Sequence, residues 1–325
     1  MLQHYVPRFY LEAFADPTRP TNIWVYAKGA AAPQSWGIRG TAAETDYYSV
    51  VNADGTRDDF FENTLSRVEG LAAPILHRWQ ANPDAIVTAE EIERLSLFMA
   101  LLYARVPRTR ADAEATIDRL TKRAVKDVFR SRTEVARFLA ENPDLTVGGE
   151  EAYEISQNPG QGIRLQVTKQ SLTDGLTRVA LEILTHLLAM NVGLVIAPES
   201  MDFVTSDSPL SVCAALPDGR VEVGAGIGLP TAEVVLPLSP RRALHLARAP
   251  LPRRRRASVS HARAFNRRIA VQAERLVFAS RFAKRTVNLV ADVSWTLARD
   301  RTRLLPVLAS DLGLRVPPRG DWFVG

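Results

Sequence analysis

The opening residues constrain the fold of this chain more than any other stretch. Gln3-His4-Tyr5-Val6-Pro7-Arg8-Phe9-Tyr10-Leu11-Glu12-Ala13-Phe14 gathers two tyrosines, two phenylalanines, a histidine and a proline into one short run. Chain ends are ordinarily polar and frayed unless something ties them down. Aromatic side chains carry the largest apolar areas of any residues. A fold for this chain must therefore build part of its core around its own beginning.

The rest of the composition is compatible with such a core. The chain has 325 residues, 46% hydrophobic and 24% charged, which are the proportions of a globular rather than a disordered protein. That length fits one large domain. The longest apolar-rich run, Val179 to Ile196, is interrupted by Glu182, Thr185, His186 and Asn191, so it falls short of the roughly 20 apolar residues of a membrane span. No basic segment precedes an apolar one at the start, so the terminus does not read as a signal peptide. The lone cysteine, Cys213, excludes an internal disulfide and a cysteine zinc cluster. It lies in an apolar stretch and reads as an inert buried thiol. A cytoplasmic setting is the expectation.

Net charge is +5 and the excess is mostly arginine, with a run at Arg253 to Arg256 followed by Arg263, Arg267 and Arg268. Such a face meets phosphates or is simply solvated. The run at Arg253 to Arg256 has no interleaved aromatic residues, and stacking platforms are what single-strand binders add. That favours a solvated loop for the run itself.

Element signals follow in order. Asn22 to Lys28 is rich in β-branched and aromatic residues and reads as a strand. Trp36 to Gly40 is weakly extended, and Thr41 to Val51 runs into a second strand that ends at the Asn52 to Thr56 turn. A helix follows from Asp58 to Asn82-Pro83, with Phe61, Leu65, Val68, Ile75 and Leu76 at helical spacing. A second begins near Thr88, where Glu91 completes a capping box, and stops at Pro107. A charged third helix occupies Ala111 to about Glu141 with a break near Ser131. Glu151 to Val167 reads as partly extended. Ser171 to Met190 is the most apolar helix.

Strands then dominate. They are expected at Gly193 to Ala197, Asp202 to Thr205, Leu210 to Ala214 and, after the Asp218-Gly219 turn, Arg220 to Val223. Glu233 to Leu238 and Ala243 to Ala247 read as a hairpin around Ser239-Pro240. A helix from about Val259 to Ala279 closes this part. The tail, with Leu304 to Leu308 and Trp322-Phe323, is mixed. The whole reads as α+β: a central helical bundle (58–191) flanked by an N-terminal β-hairpin region (1–57) and a C-terminal antiparallel sheet (192–325), in one domain.

The opening run resembles the signature of the domain-of-unknown-function 4238 family. Trp24-Val-Tyr26, Glu44-Thr-Asp46-Tyr-Tyr48, Glu62 and Glu69, Arg105-Val-Pro107-Arg-Thr-Arg110, Phe203-Val-Thr-Ser-Asp207-Ser-Pro209 and Pro237-Leu-Ser-Pro240 fit the same resemblance, which spans residue 3 to about 285. Its specific parts are the opening run and Thr205 to Pro209. Ser208 stands where the family pattern implies asparagine, which removes an amide and leaves the Asp207 carboxylate. The resemblance implies an architecture and a motif list, not a reaction.

Several polar residues in these motifs have chemistry to offer. His4 suits a general base or metal ligand, or a core histidine bonded to a backbone carbonyl. The other histidines, His77, His186, His245 and His261, form no His-x-x-x-His pair. Ser206 and Asp207 follow a strand and suit an acid/base or ligand pair, or a local turn. Glu44 and Asp46 point to one face if both lie in a strand. His4, Glu44, Asp46 and Asp207 together would make an oxygen-rich catalytic site, with Asp46 and Asp207 as ligands of magnesium or manganese. Glu69 lies within an apolar seam, so a buried partner is needed, and Arg105 is its expected partner. Tyr5, Arg105, Arg110 and Ser206 are the expected substrate contacts.

Glycine-rich nucleotide loops, the phosphate loop and the Gly-x-Ser-x-Gly elbow are all absent. Two readings result. One is a metal-assisted hydrolase, such as a nuclease or phosphodiesterase. The other is a non-catalytic module that binds nucleic acid, another phosphate-bearing ligand or an acidic protein through its arginines, in a host-defence setting.

Overall fold

The computed structural model describes residues 2–51, 56–82, 84–85, 88–144, 146–158, 169–216, 220–224, 226–299 and 307–308. The architecture is α+β, with helices through the middle of the chain and mainly antiparallel sheets. The backbone gathers into two compact units, 1–108 with 173–325, and 109–172.

In the larger unit, β1 (Leu2–His4) leads through Pro7 into the short helix α1 (Arg8–Glu12). β2 (Asn22–Ala27) and β3 (Gln34–Gly37) pair antiparallel, and β4 (Ala43–Thr45) returns along β1 with Glu44 opposite Gln3. β5 (Val50–Val51) and β6 (Arg57–Asp58) form a short ladder. Residues 52–55 of the expected turn between them lie outside the described residues.

Helix α2 (Phe60–Ala81) packs on α3 (Ala89–Arg105). Thr88 and Glu91 close the expected capping box, each side chain accepting the other's backbone N–H. Pro107 does not merely end a helix. It occupies the first position of α4 (Pro107–Val128), where its missing N–H costs nothing. The break falls where expected, with Ser131 capping α5 (Arg132–Glu141).

The extended segment expected from Glu151 is instead α6 (Gly149–Gln157). Glu150 and Glu151 in its first turn complement the helix dipole. The alternating Ile163, Leu165 and Val167 lie outside the described residues.

After α7 (Lys169–Leu188) come β7 (Asn191–Ile196), β8 (Thr205–Ser206), β9 (Ser211–Ala215), β10 (Arg220–Val223), β11 (Glu233–Ser239), β12 (Arg242–Ala247) and β13 (Arg254–Arg256). Helix α8 (Val259–Gln272), β14 (Leu276–Ala279), α9 (Lys284–Arg299) and β15 (Val307–Leu308) complete the order. One sheet runs β13-β7-β12-β11-β9-β10-β15, antiparallel except where β13 joins β7; the other runs β3-β2-β14-β8. The β11/β12 hairpin forms as the sequence predicts. The Asp218-Gly219 turn, Leu304 to Pro306 and Trp322-Phe323 lie outside the described residues.

Two expectations change. The strand read at Asp202 to Thr205 shrinks to Thr205–Ser206. The closing helix stops at Gln272, because Leu276 to Ala279 enters the second sheet between β2 and β8. The Leu-Val-Phe-Ala run suits a pleated surface, and pairing on two sides outweighs its helical spacing.

The larger sheet is buried on both faces. Leu194, Val234, Leu236, Leu244 and Leu246 point towards α2, α3, α7 and the opening run, whereas Val195, Val235 and Ala243 meet Ala262 and Phe265 of α8. Tyr5, Val6, Tyr10, Leu11 and Phe14 are all buried in the first of these cores. Each such burial contributes about 1.5–3 kcal/mol, so the N-terminal run is core rather than ornament.

Candidate functional site

The sequence motifs converge on the opening run. The Tyr10 hydroxyl donates to the Pro237 carbonyl and lies 2.8 Å from Thr205 Oγ1, joining three motifs at one buried point. Gln3 reaches the fourth: its Nε2 donates to Ser49 Oγ (2.9 Å), and its Oε1 accepts the Tyr48 N–H (2.7 Å). Arg105 is buried and its Nη1 donates to Glu69 Oε1 at 2.6 Å, the pairing expected from sequence. The Tyr48 hydroxyl donates to the Arg105 carbonyl at 3.3 Å.

Within this hub the polar side chains are mostly committed. The His4 Nε2–H donates to the Arg39 carbonyl at 3.1 Å, and burial holds its pKa below the usual histidine value. Asp207 is buried, and its carboxylate accepts the N–H groups of Glu274, Arg275 and Leu276 at 2.7–2.8 Å. Burial pushes its pKa up to about 6, with the three donors pulling the other way. Ser206 Oγ accepts the Ser208 N–H at 3.1 Å, a local turn. Tyr5 is buried, and its pKa is raised by burial and then by the charges of Asp207 and Glu44. Lys28, absent from the sequence expectations, sits beside Asp207, and burial pushes its pKa down to about 8.

Other expected members have different local settings. Glu44 is exposed on β4. Asp46 follows the strand with φ of +53°, a left-handed conformation that aspartate tolerates. The alternation that would have set both carboxylates on one strand face therefore stops at Thr45. Arg110 belongs to the smaller unit, where its Nε donates to Glu114 Oε1 at 3.0 Å.

Among the described residues, no group of three or more His, Cys, Asp or Glu side chains is placed to hold a metal ion. In the hub, the Asp207 oxygens accept three backbone N–H groups, and His4 Nε2 donates its proton to the Arg39 carbonyl.

The expected basic face is also split. Arg268 is fully buried, and both its terminal nitrogens donate to Glu233 Oε2 at 3.0 Å. Arg255 Nη2 donates to His245 Nδ1 (3.1 Å), so His245 Nε2 carries the proton and donates to Glu233 (3.1 Å). Arg253 donates to the Ala85 carbonyl and Arg254 pairs with Asp84. Arg268 ties α8 to the larger sheet, Arg255 bridges two of its strands, and Arg253 and Arg254 reach residues 84–85; Arg254 to Arg256 form an edge strand instead of a loop.

A different basic surface lies at α8 and α9. Two adjoining cavities of about 460 and 950 Å³ share Ser200, Met201, Asn266, Arg285 and Thr286. Arg241, Arg263, Arg267, Arg281 and Arg285 line them, against Glu199, Asp202 and Asp292. Arg241 is steadied by Asp202 Oδ1 (3.1 Å) and the Ala197 carbonyl (2.9 Å), and Arg281 Nε lies 3.5 Å from Asp202 Oδ2. Arg267 pairs with Asp292, and Arg285 donates to the Ser200 carbonyl. Phe282, 55% exposed, stands at the smaller cavity. The sequence expectations reached Arg263 and Arg267 but missed Arg241, Arg281 and Arg285. The Arg281-Phe-Ala-Lys-Arg285 run was the local signal available.

The features define an α+β protein built on an N-terminal aromatic hub, with an arginine-lined groove on α8 and α9. The family described as Protein of unknown function (DUF4238) matches residues 2–282, and the chain belongs to that family. No curated protein and no solved structure is similar enough to count as a match. No helix among the described residues is long and apolar enough to cross a membrane.

Proposed function

We propose that this protein is a binding module that takes a phosphate-bearing ligand in the α8/α9 groove. The observation that carries this reading is the pair of adjoining cavities lined by five arginines against three carboxylates. Guanidinium forks match phosphate oxygens two at a time, and partial pairing with Asp202 and Asp292 holds the forks in place before a ligand arrives. A net charge of +5 raises the local concentration of anions around the chain. The alternative is a metal-assisted nuclease or phosphodiesterase centred on His4, Glu44, Asp46 and Asp207, of which His4 and Asp207 already engage backbone groups.

Titration calorimetry of the full chain with inorganic tripolyphosphate at low salt tests the reading. The wild type binds, and Arg281→Ala with Arg285→Ala weakens binding by roughly 10-fold or more per lost charge-assisted contact. Arg254→Ala, at the edge of the larger sheet, leaves binding unchanged. Equal affinity in the wild type and the double variant would remove the groove from consideration.

A further inference from the structure

The groove offers more than charge. Phe282 lies between Arg281 and Arg285 in sequence, and all three line the smaller cavity. The residue is 55% exposed. It is not loose either: Trp24 meets it at 5.6 Å between centroids and 61° between planes. Trp24 is itself fixed by its Nε1–H, which donates to Asp16 Oδ2 at 3.0 Å. A part-exposed aromatic side chain beside two arginines is the pairing by which unpaired bases and their phosphates are gripped together.

The cavity dimensions agree. A volume of about 460 Å³ lies in the range of small-ligand sites. The adjoining 950 Å³ space continues past Arg263 and Arg267, so a chain of phosphates has a charged path onward.

We propose that the ligand of the groove is single-stranded nucleic acid, with one base stacked on Phe282 and the flanking phosphates taken by Arg281 and Arg285. This rests on the phosphate-binding reading above and names the ligand class. A duplex keeps its bases stacked inside and offers none to Phe282. An acidic peptide offers charge but no planar face.

The test uses fluorescence anisotropy of the full chain with a labelled twelve-nucleotide oligothymidylate, an abasic sugar-phosphate strand of equal charge, a duplex of equal length and a polyglutamate peptide. Oligothymidylate is expected to bind more tightly than the abasic strand by roughly 5- to 150-fold, the range that stacking of one base contributes. Phe282→Ala removes that advantage without changing abasic binding, and Phe282→Trp keeps it. Arg281→Ala and Arg285→Ala weaken both strands alike. Equal binding of the two strands, or of the duplex or polyglutamate at the oligothymidylate affinity, would overturn the stacking proposal while leaving phosphate binding intact. Failure of every anion to bind would overturn both.

Discussion

The Tyr10 hydroxyl and Thr205 Oγ1 lie 2.8 Å apart, although 195 positions separate them in sequence. Because the Tyr10 proton goes to the Pro237 carbonyl, the Thr205 hydroxyl donates to Tyr10. Both side chains are fully buried. Tyr10→Phe leaves a carbonyl and a hydroxyl without their partner, at a cost of about 1–3 kcal/mol. Thr205→Val costs a similar amount, and the double variant costs less than the sum. Urea denaturation of the four proteins measures this coupling; strict additivity would mean the two motifs do not hold each other.

Asp207 ties the end of α8 to β14 through three backbone donors. Asp207→Asn turns an amide N–H₂ towards those donors and is expected to destabilise by about 1–3 kcal/mol. Burial raises the folded-state pKa to about 6, above the ordinary aspartate value of 3.8. The folded state therefore binds this proton more tightly than the unfolded one. The stabilisation from Asp207 is fully present below about pH 4 and declines as pH rises through about 6. The stability difference between wild type and Asp207→Asn should shrink from pH 4 to pH 7. A difference that grows over that window would contradict this account.

Glu233 collects two bonds from fully buried Arg268 and one from His245. Glu233→Gln leaves that guanidinium without its counter-charge and should cost about 3–5 kcal/mol in thermal or chemical unfolding. His245 is expected to make the same cluster sensitive to pH. Burial lowers its pKa from 6.5, so the unfolded chain binds the proton more readily. Its contribution is present above pH 6.5 and is lost as pH falls below that value. Protonation at Nδ1 also evicts the Arg255 donor. Between pH 7.5 and 5.5 the wild type should lose more stability than His245→Gln; an equal loss would assign the acid sensitivity elsewhere.

Much of the fold was legible because local and tertiary signals agree. The capping box at Thr88 and Glu91, the Glu233 to Ala247 hairpin and the Ser131 break each follow from neighbouring residues alone. The Arg105–Glu69 pair followed from burial logic: a carboxylate in an apolar seam needs a cation, and the neighbouring helix end supplied one. The burial of the opening run followed from its aromatic content, whereas the junction of Tyr10 with Thr205 and Pro237 did not, because 195 and 227 positions separate them. What escaped was set by distant pairing. Leu276 to Ala279 continues a helical spacing, and only the open sides of β2 and β8 make it a strand. Asp46 escaped because one left-handed residue ends the alternation from Glu44. The groove escaped because Arg241, Arg263 and Arg281 come from three separate segments, whereas the contiguous run at Arg253 to Arg256 drew attention to a strand edge.

The α8/α9 groove as an anion site is the central claim, and the salt dependence of oligothymidylate binding tests it most directly. Affinity is measured from 50 to 300 mM salt for the wild type and for Arg281→Ala with Arg285→Ala. The account predicts a linear fall of log K with log salt concentration in the wild type. It predicts a slope shallower by about 0.7 for each arginine removed, as each phosphate contact releases one fewer counterion. An unchanged slope and affinity in the double variant would contradict it.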